Sequence, residues 1–273
     1  MVEIRMERTG ESTVSERPYR ITVAQVPFDA PWSWLAAGWR DMWTVPAISL
    51  GYGVLCAIVS AALTVGLMAG GLESLILALG GGFLLIGPLA AVGLYEVSRR
   101  LAAGEAVSIV DVVRTVRDAP GQLGFFGAIL AFAYFVWLLL ASLLLMLFLG
   151  TKPLPPANEF VPSLLFTPHG LGLLVTGTIV GGIIAALVFA VSAVSVPLLA
   201  VRRIDAVTAA RTSLTAVAQN PKPMILWAGL IAGFAAIGIA TIFVGLIIVF
   251  PLIGHATWHA FRDLVPTGTD GYL

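Results

Sequence analysis

The chain has 273 residues, 59% of them apolar and only 11% charged, with a mean hydropathy of +0.98. A soluble domain carries roughly 25% charged residues, so the composition excludes an ordinary water-soluble protein and points into the bilayer. A formal net charge of zero offers no basic excess for nucleic acid, and a single cysteine, Cys56 within an apolar run, excludes a disulfide framework.

The chain opens on residues 1–27, rich in Glu, Arg, Ser and Thr, which read as a disordered cytoplasmic tail without the apolar core of a cleaved secretory signal. A short amphipathic helix is predicted next. Asp29 suits its N-cap and Pro31 its first turn. Trp32, Leu35, Trp39 and Met42 share one face, and tryptophan favours the headgroup level, so this helix is expected to lie flat on the membrane.

The first span is predicted from Thr44 to Met68, followed by a tight turn at Ala69-Gly70-Gly71 beside Glu73. The second runs from Ser74 to Ser98 and ends at Arg99-Arg100. Residues 102–118 are too polar to cross. There Ser108 and Asp111 have capping-box spacing, and Ile109, Val112, Val113 and Val116 form the apolar face of a second surface helix. A third span covers Gln122 to Leu149, and a Pro-rich loop over 150–170 carries Lys152, Glu159 and His169. The fourth span covers Leu171 to Val201 and stops at Arg202-Arg203. Asp205 then caps a third amphipathic stretch, with Val207, Ala210, Leu214 and Val217 on one face.

A single helix over the last apolar run, 224–261, would be roughly 57 Å long at about 1.5 Å per residue, against a hydrocarbon core of about 30 Å. The reading is therefore two spans with a turn near Gly238 to Thr241. The alternative is one span, kinked at Pro251, with an interfacial end. Six spans put both termini on one side, and every Lys and Arg except Lys152 then falls on that side. The positive-inside rule makes that side cytoplasmic; the five-span alternative moves Arg262 outside. The expectation is an all-α polytopic transmembrane bundle in a bacterial inner membrane. It comprises one domain over 28–265 and a short cytoplasmic tail over 266–273.

The same order of parts recurs over 30–101, 107–203 and 205–264: a surface helix, a proline, an outward span and a return span ending in arginine. Three helical hairpins, each preceded by an interfacial amphipathic helix, would result. The return spans carry Pro88, Pro197 and Pro251. The first and third agree best, setting Gly82, Pro88, Leu89, Tyr95, Arg99 and Leu101 against Gly245, Pro251, Leu252, Trp258, Arg262 and Leu264. Ordinary helical hairpins also use proline, glycine and arginine at such places, so the pattern alone leaves two readings.

Few residues suit chemistry. Glu96, beside Tyr95, has Arg99 and Arg100 at ion-pairing distance along one helix; an ionisable group at membrane depth is also a functional candidate. His255 and His259 are four apart, a spacing that suits two metal ligands, with Glu96 or Asp263 as further donors. The other reading of that end is an interfacial anchor of His255, Trp258, His259 and Arg262. Glu96, Arg99, Arg100, Tyr95, Trp258, Arg262 and Asp263 thus make up the candidate polar cluster. No catalytic residue and no cofactor site stands out, and the glycine pairs lack the context of a phosphate loop.

Four segments, Gly38 to Gly53, Gly87 to Glu105, Ser195 to Pro221 and Gly245 to Val265, together resemble a bacterial family of integral membrane proteins, the domain of unknown function 2189. The run Gly254-His255-Ala256-Thr257-Trp258-His259 followed by Arg262-Asp263 is the most specific part. The resemblance implies a class and no mechanism. Some members carry a label of similarity to a cytochrome c oxidase main subunit. Three histidines are too few for that chemistry, and two on one helix face cannot ligate opposite sides of a haem. The functional expectation is a non-enzymatic accessory, assembly or lipid-organising component, partnered by lipids and a membrane protein. A small-solute or ion transporter built on the repeat is the second reading, and a metal- or haem-binding respiratory-associated protein the third.

Overall fold

The computed structural model describes residues 21–72, 74–119, 121–150 and 157–266. Among these the chain is all-helical, with no strand. The helices are α1 (Ala30–Thr44), α2 (Pro46–Ala69), α3 (Ser74–Ala90), α4 (Val92–Ala102), α5 (Ile109–Arg117) and α6 (Gly121–Leu149). They continue with α7 (Ala157–Phe166), α8 (Pro168–Ser192), α9 (Ser195–Val201), α10 (Ala206–Gln219), α11 (Pro221–Ala240) and α12 (Leu246–Leu264). Four described stretches are long and apolar enough to cross a membrane: α2, α6, α8 continued through α9, and α11. Without water, a backbone must satisfy its own polar groups, and helices of unbroken Leu, Ile, Ala, Phe and Gly do so.

Two of the expected spans are broken. Between α3 and α4 the helix is interrupted at Ala91, just after Pro88, which has no N–H and crowds the preceding turn. Tyrosines cover carbonyls at the break: Tyr95 Oη donates to the Pro88 carbonyl (3.0 Å) and Tyr52 Oη to that of Ala90 (2.7 Å). Between α8 and α9 the interruption falls at Ala193-Val194, ahead of Pro197. There the Ser213 hydroxyl of α10 accepts from the Val194 N–H (3.1 Å) and donates to the Ala190 carbonyl (2.8 Å).

Other expectations need correction. The loop over 150–170 contains α7, which packs on α8, and Thr167 caps α8 by accepting from the Gly170 N–H. The turn before α12 spans 241–245, later than expected, with Ile242 and Phe243 both at positive φ. Asp29 stands at the N-cap of α1 but makes no side-chain cap. The tail expected to be disordered over 1–27 is tied down from residue 21. Ala24 N–H donates to the Leu264 carbonyl, and Asn220 holds Val26 N–H and the Ala24 carbonyl. Residues 1–20, Glu73, Pro120, 151–156 with Lys152, and 267–273 lie outside the described residues.

The amphipathic faces also rotate. On α1, Leu35 and Met42 are buried while Trp32 and Trp39 of the same expected stripe are exposed. On α10 the buried face is made of small residues, Ala206, Ala209, Ser213 and Ala216, and Val207 and Leu214 point outward. On α5 only Val112 is buried; Ile109, Val113 and Val116 are exposed. Two capping predictions hold: Ser108 and Asp111 form a reciprocal capping box, and Asp205 accepts from Thr208 N–H.

The most buried long helix is α12, which packs on α1, α2, α4, α9 and α11. Two glycines permit the closest approaches. A Cβ on Gly38 would lie 2.6 Å from the Ala256 nitrogen, and one on Gly53 would overlap the carbonyl of Ile247. Pro251 deprives that carbonyl of its helical donor, so α2 rests on a gap in the α12 ladder. Gly53→Ala is therefore expected to destabilise the purified protein by about 1–3 kcal/mol through overpacking. Gly51→Ala, where a Cβ meets nothing within 4 Å, is expected to leave the melting temperature unchanged. Thermal melts of both variants in detergent check this.

Candidate functional site

Polar side chains gather where α1, α2, α4 and α12 meet. His255 is fully buried, and its two ring nitrogens lie 2.9 Å from Ser49 Oγ (Nε2) and 2.8 Å from Ser98 Oγ (Nδ1). Ser98 Oγ is also 2.6 Å from Asp41 Oδ2, and His259 Nε2 reaches the same oxygen at 2.8 Å. An ionised carboxylate only accepts, so Ser98 must donate to Asp41. With its one proton spent, Ser98 accepts from His255 Nδ1–H. A neutral His255 ring then accepts at Nε2 from Ser49. The result is a directed chain, Ser49 to His255 to Ser98 to Asp41, with His259 donating to Asp41 from the other side. Burial works against the Asp41 charge, but the hydrogen bonds from His259 and Ser98 outweigh it and hold its carboxyl below the ordinary carboxylate range.

The histidine pair read as a candidate metal site is thus engaged in this chain. Both nitrogens of His255 are hydrogen-bonded, and His259 faces Asp41. Among the described residues no three His, Cys, Asp or Glu side chains come together in a metal-holding group. Glu96 lies elsewhere, in ion pairs with Arg99 and Arg100 (both 2.7 Å). Arg100 reaches on to Asp111 of α5 (3.3 Å) and Arg99 to Glu105 (3.3 Å). Asp263 accepts from Trp34 Nε1 (2.7 Å). Tyr95 serves the α3–α4 break, Arg262 is exposed, and Trp258 is buried with its indole N–H unpartnered among the described residues. The candidate polar cluster therefore divides among several places. Asp41, Ser49 and Ser98 were missed by sequence reasoning because short polar residues near span ends carry no spacing signal of their own.

The second feature is a cavity of about 780 Å³ between α3, α6, α8, α11 and α12. Its wall includes Leu85, Trp137, Gly181, Phe189, Trp227 and Phe250, with Pro88, Ala91, Ser192 and Ala193 from the two helix breaks. None of its described lining residues is Asp, Glu, Lys, Arg or His. Three of its hydroxyls are turned to backbone carbonyls: Ser142 donates to Leu138, Thr257 to Ile253 and Tyr95 to Pro88. Ser192 Oγ is shut away from the surface without a partner among the described residues. Such a wall suits hydrocarbon.

Long helices presenting apolar side chains outward, around an interior free of ionisable lining, define a polytopic α-helical integral membrane protein. Residues 75–200, from α3 into α9, match the model of the family described as Predicted integral membrane protein (DUF2189), the family that the four segments resemble. No curated protein and no solved structure matches the chain.

The depressed pKa of Asp41 gives stability that is present above the unfolded carboxylate value, about 3.9, and lost as pH falls through the lower folded value. Melting temperature measured downward from pH 7 is expected to fall in that acid window, and Asp41→Asn is expected to flatten the fall while melting lower at pH 7. Ser98→Ala strands the His255 N–H and is expected to cost about 1–3 kcal/mol at pH 7, read in the same melts.

Proposed function

We propose that this integral membrane protein is a non-enzymatic, lipid-organising accessory component of a bacterial inner membrane. The observation that carries this reading is the large interior cavity with no Asp, Glu, Lys, Arg or His among its described lining residues. Transport of an ion or polar solute is served by polar groups near the membrane midplane, and the described lining offers no charged side chain, with the hydroxyls of Ser142, Thr257 and Tyr95 donating to backbone carbonyls. A metal or haem reading finds still less support, since His255 and His259 are committed to Ser49, Ser98 and Asp41.

The finer architecture in this proposal is six spans as three hairpins, with both termini cytoplasmic. In it, α3–α4 and α12 are the return spans that complete the four long apolar stretches. Packing supports a threefold repeat. Each helix preceding a hairpin rests on the return span of the hairpin before it: α5 on α4, α10 on α8 and α9, and α1, closing the circle, on α12. The inner ends α4, α9 and α12 also pack on one another. The exposed apolar residues Trp32, Trp39, Trp43, Ile109, Val110 and Val113 on α1 and α5 then form a collar in the headgroup layer. Arg114 and Arg117 of α5 face anionic lipid there.

Reporter fusions test the topology. Fusions at Pro155 are expected to report the outer side and fusions at both chain ends the cytoplasm; a cytoplasmic Pro155 sinks it. Affinity purification from native membranes in mild detergent tests the role. It is expected to recover the protein with associated lipid and a stoichiometric membrane partner. Solute uptake by reconstituted vesicles containing the protein alone is the result that would replace this reading with the transporter.

A further inference from the structure

We infer that the cavity between α3, α6, α8, α11 and α12 is a built site for the acyl chain of a membrane phospholipid. The inference deepens the lipid-organising reading and rests on it. The cavity volume, about 780 Å³, falls within the span of roughly 300–1,000 Å³ that sites for small ligands occupy. An apolar void of this size cannot stand empty without loss, because every wall atom forfeits its dispersion contacts. Water is poorly held, since a water molecule needs two to four polar partners, while Ser142, Thr257 and Tyr95 donate to backbone carbonyls and Ser192 Oγ is shut away from the surface. Hydrocarbon is what remains.

The shape selects a long chain. Lining residues on α8 run from Leu173 to Ser192, roughly 28 Å of helix at about 1.5 Å per residue, close to the hydrocarbon thickness of about 30 Å. No charged side chain stands on the described wall, and the unpartnered Ser192 Oγ is shut away from the surface, so the headgroup stays in the interface and the tail alone enters. The route follows from the packing: α8 and α11 both line the cavity but are not among the helix pairs that pack extensively on each other. A tail enters sideways between them. Gly177 of α8 and Gly229 of α11 stand on this wall, and a Cβ on either meets nothing within 4 Å.

The test uses the full chain purified in mild detergent, with native mass spectrometry and lipid extraction to identify what stays bound. Wild type is expected to retain phospholipid through detergent exchange. Gly177→Leu and Gly229→Leu, placed where a Cβ meets nothing within 4 Å, put side-chain volume on this wall and are expected to lower that retention about fivefold or more. A second measurement keeps folding separate from binding. After exhaustive delipidation, the leucine variants are expected to melt higher than wild type, because the side chain replaces the lost tail. Adding back a diacyl phosphatidylglycerol or phosphatidylethanolamine raises the melting temperature of wild type and not of the variants. Wild type that retains no lipid, or variants that retain as much as wild type, overturn the site. Recovery of an isoprenoid quinone in place of phospholipid overturns the assignment to acyl chains. Retained cavity lipid without a co-purifying protein partner supports the site while removing the accessory role, so the two failures are distinguishable.

Discussion

A buried imidazole must have both ring nitrogens satisfied, and that requirement at His255 organises one end of the molecule. The ring sits on the most enclosed helix, and its two partners come from different elements, Ser49 on α2 and Ser98 on α4. Ser98 in turn needs an acceptor, which α1 supplies as Asp41. One satisfied histidine therefore specifies how three helices stand around α12. The apolar contacts alone would tolerate rotation or sliding. A chain of hydrogen bonds with assigned donors does not, because any slip leaves a polar group unpaired in a dry environment.

The same rule, applied to the backbone, explains the breaks in α3–α4 and α8–α9. Prolines interrupt the ladders, and hydroxyls from elsewhere, those of Tyr52, Tyr95 and Ser213, take over the exposed groups. Both breaks border the cavity. Where the helices are continuous and packed through glycine, as between α2 and α12, no space remains. The bundle thus combines a tightly specified polar end with a loosely filled apolar interior. That division fits the lipid-organising role proposed above.

Much of the fold was legible from the chain. The long spans, the capping box at Ser108 and Asp111, the Asp205 cap and the Glu96–Arg99–Arg100 ion pairs all follow from local sequence. Each of them is an interaction between residues a few positions apart or a property of one helix. The faces of α1, α5 and α10 were less legible. Hydrophobicity marks which side avoids water, but both core and lipid are apolar. The small-residue side of α10 therefore packs inward while Val207 and Leu214 turn outward.

By itself the sequence determined that this is a helical membrane protein with its cations gathered at span ends, because burying charge in hydrocarbon is costly wherever it occurs along the chain. Only the tertiary structure decided that His255 and His259 pair with Ser49, Ser98 and Asp41, residues more than 150 positions away. It also decided that an apolar cavity lies among α3, α6, α8, α11 and α12. Both depend on where separate helices come to rest, which no spacing along the chain encodes.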